Sequence, residues 1–313
     1  MNGSDDDLQA AVVDYLTVRR AFGFKLHGHD KLLADFVDYL HPVSDGRITT
    51  AAAVSWATSI DGVHPGRWKQ RLGVVIGFAR HMHGFDPSVE VPTVDLLPYR
   101  YTRPTPYLFS SDAISGLLDA TVVLRPELRA VTHRALFGLL AVTGMRVGEA
   151  INVDRDDVNL VDGVVSIRAT KFNKSRQIPL HPTTVTALEA FTHERDRLCR
   201  HPQGPNFFVS TLDTHLFDVG VHGVFRRLIC DSGIGVADHN SGTPQIHSLR
   251  HSFAVATMRA WYRNGDDVMA KMPLLSAYLG HSDPISTYWY LQACPELLGL
   301  AAERLEQSAR NRS

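Results

Sequence analysis

Four short pieces of the chain concentrate side chains able to do chemistry. They are Thr143-Gly-Met-Arg-Val-Gly-Glu149, Thr170-Lys-Phe-Asn-Lys-Ser-Arg176, His247-Ser-Leu-Arg-His251 and Gly280-His-Ser-Asp-Pro-Ile-Ser-Thr-Tyr-Trp-Tyr290. An arginine fork can hold two oxygens of an anion at once, which a lysine ammonium cannot reproduce. A histidine moves protons near neutral pH. A tyrosine hydroxyl is a nucleophile once a base or a strong positive field counters its pKa of about 10. Each piece alone has an ordinary explanation. An arginine after a glycine turn is commonly solvated or salt-bridged, and a lysine at a hairpin turn aids solubility. Most of the 16 histidines must be structural or exposed. The Tyr288-Trp289-Tyr290 run is an ordinary packing cluster.

Order and spacing give the combination its weight. His247 and Arg250 are three apart, one helical turn, so they share a face. His281 and Tyr290 are nine apart, and Lys171 is the first lysine of a turn between two predicted strands. The ordered set Arg146, Lys171, His247, Arg250, His281 and Tyr290 resembles the catalytic domain of the tyrosine recombinases, the integrase family of site-specific DNA recombinases. The resemblance is close over roughly residues 107–295. Before that it extends only to position, size and helix content.

The resemblance implies a role for each residue. Arg146 and Arg250 clamp the non-bridging oxygens of a phosphodiester, and His281 adds a hydrogen bond. Such stabilisation is typically worth about 10²–10³-fold per donor. Tyr290 attacks phosphorus to give a 3′-phosphotyrosyl intermediate, and His247 fits the proton-accepting role. Lys171 protonates the departing 5′-oxygen, a contribution of ~10²–10⁴-fold. The covalent bond conserves the phosphodiester energy, so the expected reaction uses no cofactor, metal or ATP. Rivals stand beside two of these residues. Tyr288 competes with Tyr290, about 200° away around a helix. Lys174 competes with Lys171. His251 is expected to face away into structure, and Glu149 either orients an active-site base or serves structure alone.

The elements that must position these groups can be read from pattern. Leu8, Val12, Tyr15 and Leu16 recur at helical spacing behind Asp5 to Asp7. A second helix carries Leu32, Leu33, Phe36, Val37 and Leu40, and Pro42 is expected to stop it. Thr49 or Thr50 caps a third through Trp56, and Pro65 opens a fourth running to His83. Residues 92–106 hold four prolines, which no continuous helix or central strand survives. Beyond them, Ser110 or Ser111 caps a helix, and another runs from Leu128 to Val142 and ends at Gly144. Strands are predicted at Val158–Leu160, Val164–Thr170 and Arg176–Leu180. Helical patterns return at 183–199, 217–231, 247–262, 267–279 and 295–307. The expected fold is mainly α with a small antiparallel sheet. Laid over this pattern, the resemblance implies a helical core-binding domain (1–91), a linker (92–106) and a catalytic domain with a C-terminal exchange helix (107–313).

Composition sets bounds on this reading. At 313 residues, about two domains are expected. Lys and Arg total 32 against 33 Asp and Glu, so bulk charge does not announce a nucleic-acid protein. The balance is an average. Residues 1–63 hold five bases and nine acids, 64–107 hold six and three, and 163–188 hold four bases and no acid. The resemblance implies double-stranded DNA as partner, and these local excesses place the expected contacts at Arg67, Lys69, Arg71, Arg80, Arg100, Arg103, Arg168, Lys174 and Arg176. Three scattered cysteines without a CxxC pair suit a reducing compartment. No signal-peptide pattern is seen, and the longest uncharged apolar stretch is too short to span a membrane. A cytoplasmic protein is expected.

The reading is a site-specific recombinase that assembles as a homotetramer on DNA, with no membrane partner. The Tyr-Trp-Tyr-Leu run at 288–291 resembles transposon-borne recombinases more than chromosome-dimer-resolving ones. A catalytically idle DNA-binding accessory protein and a type IB-like topoisomerase are the alternatives. A metal-dependent hydrolase built on His27, His29, His81 and His83 is disfavoured, because i, i+2 pairs on a helix do not converge on one ion.

Overall fold

The computed structural model describes residues 3–97, 105–168, 175–235, 243–281 and 283–310. The chain divides into two compact units, residues 1–103 and 104–313.

Among the described residues, the first unit is built from four helices: α1 (Gly3–Ala21), α2 (His29–Ser44), α3 (Thr50–Thr58) and α4 (Pro65–His83). Their apolar faces meet in a core that includes Tyr15, Phe36, Leu40, Trp56, Leu72 and Phe78. Thr49 caps α3 by accepting from the Ala52 N–H at 3.1 Å. Pro42 does not stop α2, which runs on to Ser44. A proline this close to a helix end removes one donor, the one that would meet the Asp38 carbonyl, and the helix then closes where the Ser44 hydroxyl and the Gly46 N–H both donate to the Leu40 carbonyl. Arg71 is a second departure from expectation. Its guanidinium lies 3.8 Å over the Trp56 ring and donates to the Trp56 carbonyl and to Asp35. It is 5% exposed and belongs to the core, not to a DNA-facing surface. Helix periodicity marked the α4 face, but only the packing of α3 beside it turns Arg71 inward.

The second unit continues with α5 (Ser111–Ala120), α6 (Glu127–Thr143) and α7 (Val147–Ile151). A three-stranded antiparallel sheet follows: β1 (Val158–Asn159), β2 (Val164–Ile167) and β3 (Arg176–Pro179), in that spatial order. Val165 and Ile167 of β2 and Ile178 of β3 point into the core, and Val165 pairs with Ile178. Then come α8 (Pro182–Leu198), α9 (Asp218–Ser232), α10 (Ile246–Arg263), α11 (Val268–Leu279), α12 (Ile285–Ala293) and α13 (Pro295–Arg310). Helix α6 is apolar on several faces because α5, α8 and α10 surround it. The last four helices close a separate cluster of Ala254, Val255, Met258, Met272, Leu275, Tyr290 and Leu297. Helix α13 packs on its own unit: Leu297 is buried, Arg259 pairs with Glu296 at 2.5 Å, and Arg304 donates to the Gly265 and Asp266 carbonyls. No described helix is long and apolar enough to cross a membrane.

Candidate active site

Two glycines in left-handed conformation create the framework of the site. Gly144 ends α6 at φ 62°, and Gly280 ends α11 at φ 67°. A Cβ on Gly144 would meet Phe253 at 2.5 Å, and one on Gly280 would meet the Arg176 guanidinium at 2.5 Å. Both chain reversals thus require glycine, for conformation and for space. Arg146 follows the first reversal and His281 the second.

Three arginines converge on the C-terminal end of α11. Arg176 Nε donates to the Tyr278 carbonyl at 2.8 Å, Arg250 Nη2 to Leu279 at 2.7 Å and Arg146 Nη2 to Gly280 at 2.9 Å. These are consecutive carbonyls left unpaired by the end of a helix, where the helix dipole also favours cations. Arg250 Nη1 reaches back to the Gly144 carbonyl at 2.8 Å, joining the two reversals. Glu149 ties the other two arginines together. It accepts from Arg146 Nη1 at 2.8 Å and from Arg176 Nη1 and Nη2 at 3.1 and 2.7 Å. Its second oxygen also accepts the Arg146 backbone N–H at 2.9 Å, capping α7. Burial alone would push the Glu149 carboxyl up, but the Arg176 hydrogen bonds, then the Arg146 N–H and both positive charges, hold it below the usual carboxylate range.

Arg250 is the most constrained of the three. It is 2% exposed, and its Nε is buried with no hydrogen-bond partner. Burial, then the neighbouring Arg146 charge, push its guanidinium down to about 10, still charged at neutral pH. Like charges gathered with an unsatisfied donor make an electrostatic cost that an anion would relieve. Arg146 complements it from a more open position, with its side chain 39% exposed.

Helices α10 and α12 supply the remaining groups. His281 follows Gly280; its N–H is held by the Ser276 carbonyl, and its Nδ1 lies 2.6 Å from the Thr287 hydroxyl. Thr287 is fully buried, so it fixes the ring orientation. Tyr290 lies one turn further on, 1% exposed within the apolar cluster, and its charge state acts on Arg250. Its hydroxyl is 2.9 Å from His251 Nδ1. His247 is exposed, and its ring packs edge-on against His251 at 4.6 Å between centroids.

His251 thus differs from expectation: it points toward Tyr290. At about 100° per residue, His251 lies about 40° from His247 around α10, closer than Arg250 at about 60° on the other side. The helical face that suggested His247 therefore contained His251 as well. Thr287 also escaped the sequence reading, although it precedes Tyr290 by one turn. Arg176 is the third difference. It was expected on DNA, but its side chain is 14% exposed and committed to Glu149 and Tyr278. Alternating strand periodicity could not reveal those partners, which lie 27 and 102 residues away.

The other expected contacts vary in setting. Arg67 and Arg80 are exposed, Lys69 lies 4.0 Å from Asp95, and Arg168 pairs with Asp157. Lys171, Lys174, Arg100 and Arg103 lie outside the described residues. Among the described residues, no group of three His, Cys, Asp or Glu side chains is arranged to hold a metal ion.

Comparison with known proteins gives a consistent picture. Residues 109–296 match the model of the phage integrase family. The chain is 39% identical over 310 residues to the putative integrase/recombinase y4rB of Sinorhizobium fredii, covering 97% of this chain and 98% of that protein. It is 29% identical over 230 residues to the tyrosine recombinase XerD of Staphylococcus epidermidis, covering 72% of each. Its fold is similar to that of the XerH site-specific recombinase in a post-cleavage complex with its difH substrate. There the TM-score is 0.66 at 17% identity, covering 90% of this chain and 80% of that one.

Proposed function

This chain belongs to the phage integrase family of tyrosine recombinases, and we propose that it cleaves and rejoins double-stranded DNA at a specific site through a 3′-phosphotyrosyl bond to Tyr290. The observation that carries this reading is the pair Arg146 and Arg250. Both are held on consecutive carbonyls beside His281, and Arg250 keeps a buried unsatisfied Nε. Two guanidinium groups fixed in this way are preorganised for an anion whose charge grows during attack.

In this mechanism Arg146, Arg250 and His281 bind the non-bridging oxygens of the scissile phosphate. The Tyr290 oxygen bonds to phosphorus as the bond to the 5′-oxygen breaks, and Lys171 supplies the proton to that oxygen. The His247–His251 face of α10 handles the tyrosine's proton. Rejoining is the same path in reverse, so neither metal nor ATP enters the balance. Glu149 serves as a positioning residue that orients Arg146 and Arg176. Residues 1–91 form the core-binding half, 92–106 the linker and 107–313 the catalytic half. Exposed Arg67 and Arg80, together with Lys69, Arg168, Lys174, Arg100 and Arg103, contact the DNA backbone. The protein acts on DNA in the cytoplasm as a homotetramer, in which α13, packed on its own unit through Leu297 in the single chain, exchanges to a neighbouring copy.

A nicked suicide substrate carrying the native site tests this reading. The wild-type chain is expected to form a covalent protein–DNA adduct that persists in EDTA and disappears in Tyr290→Phe. An adduct that survives this substitution would move the nucleophile elsewhere.

A further inference from the structure

We propose that His251 is the direct proton acceptor for the Tyr290 hydroxyl, with His247 acting on it through their ring contact. The proposal rests on the phosphotyrosyl chemistry above and assigns a catalytic residue within the same site.

The geometry begins with contact to a reacting atom. His251 Nδ1 is 2.9 Å from Tyr290 Oη, within the range required of a general base. Tyr290 is 1% exposed, so bulk water has little access to take the proton. The His251 ring is held from two elements. His247, on the same helix, packs edge-on against it at 4.6 Å, and Trp289 and Tyr290 of α12 pack against it at 5.7 and 5.4 Å. These rings limit rotation and keep Nδ1 aimed at the phenol. Among the described residues, the titratable groups in ring or hydrogen-bond contact with His251 are His247 and Tyr290, and the Arg250 charge is coupled to Tyr290. An exposed His247 beside His251 provides a route for the proton toward solvent.

The step balances without a further reagent. The Tyr290 O–H bond breaks and its proton moves to His251 Nδ1. The freed oxygen pair forms the bond to phosphorus while the P–O5′ bond breaks, and the 5′-oxygen takes its proton from the general acid. On rejoining, the 5′-hydroxyl gives its proton back to the deprotonated general acid and attacks phosphorus as the bond to the Tyr290 oxygen breaks, and His251 returns its proton to Tyr290. His251 must be neutral to begin cleavage, so the rate should fall on the acid side as the imidazole gains a proton. A charged His247 would oppose that protonation by like-charge repulsion.

The test measures single-turnover adduct formation on the nicked substrate across pH, with DNA binding followed separately by gel shift. His251→Phe and His251→Gln are compared with wild type. Gln retains a hydrogen-bonding group toward Tyr290 but cannot take the proton. Both variants are expected to bind DNA normally, to lose about 10²-fold or more in adduct rate and to lose the acid limb of the pH profile. Added imidazole should restore part of the rate in His251→Phe. A substrate with sulfur in place of the bridging 5′-oxygen needs no general acid and should leave the defect in place. Rates and profiles like wild type in His251→Gln would overturn the proposal while leaving the Tyr290 reading intact. So would rescue by the sulfur substrate, which would make His251 an acid, or a faster adduct, which would make it a restraint on Tyr290. Absence of any adduct from wild type would overturn both.

Discussion

Replacing Glu149 by alanine should loosen the site more than any single surface change. The carboxylate receives three guanidinium hydrogen bonds and one backbone N–H. The Glu149 and Arg176 side chains are only 10% and 14% exposed, whereas Arg146 is 39% exposed and partly solvated. The dominant loss is therefore the Arg176 pair. Removing one partner of a buried pair costs ~3–5 kcal/mol. The residual exposure places this pair at the lower end, so a cost of about 3 kcal/mol is expected, with about 1 kcal/mol more for the lost α7 cap. Urea unfolding of the full chain should show a midpoint lower by about 1 M or more, for a slope of ~3 kcal/mol per M. Arg176→Ala should also destabilise. The double variant should cost well below the sum, because it leaves no uncompensated charge. Additivity within about 0.5 kcal/mol would refute the pairing. The pH dependence has a definite sign. The Glu149 pKa is lower in the folded chain than in the unfolded one. Its contribution is present above the unfolded value of about 4.3 and is lost as pH falls through the folded value. The stability gap between wild type and Glu149→Gln should therefore narrow below about pH 4.

Three further outcomes follow from the same structure. Gly280→Ala should cost ~1–3 kcal/mol in strain and reduce adduct formation, since the new methyl meets Arg176; normal stability and rate would exclude that tight reversal. Maleimide at pH 8 should label exposed Cys230 well before Cys199, whose thiol is buried and pushed up to about 11, chiefly by burial; equal labelling read by mass spectrometry would contradict this. Replacing Leu298, exposed on α13, by Asp should leave folding and DNA binding in place but weaken cooperative assembly in a gel-shift titration, whereas removing residues 295–313 would also strip buried Leu297 from the cluster around Tyr290; unchanged assembly in Leu298→Asp would exclude this face of α13 as the link between copies.

Local rules made much of the fold legible. Pro65 opening α4, Thr49 capping α3, Gly144 ending α6 and the alternation of Val164 to Ile167 each express a preference carried by a few neighbouring residues. The departures are non-local. Arg71 reads as one more base on a basic helix until Trp56 and Asp35 from two other helices enclose it. Arg176 reads as a hairpin cation until α7 and α11 bring Glu149 and Tyr278 to it. His251 needed α12 beside α10 to show that its ring meets Tyr290. In the site, spacing identified residue types and shared faces. Which carbonyl, carboxylate or hydroxyl each side chain would meet depended on contacts between segments far apart in the chain.

The central claim is that the Tyr290 oxygen carries the DNA. The most direct measurement is proteolysis of the covalent adduct followed by mass mapping of the residue that bears the nucleotide. The account predicts a 3′-phosphate ester on Tyr290. Nucleotide on Tyr288, on Tyr278 or on any residue other than Tyr290 would contradict it.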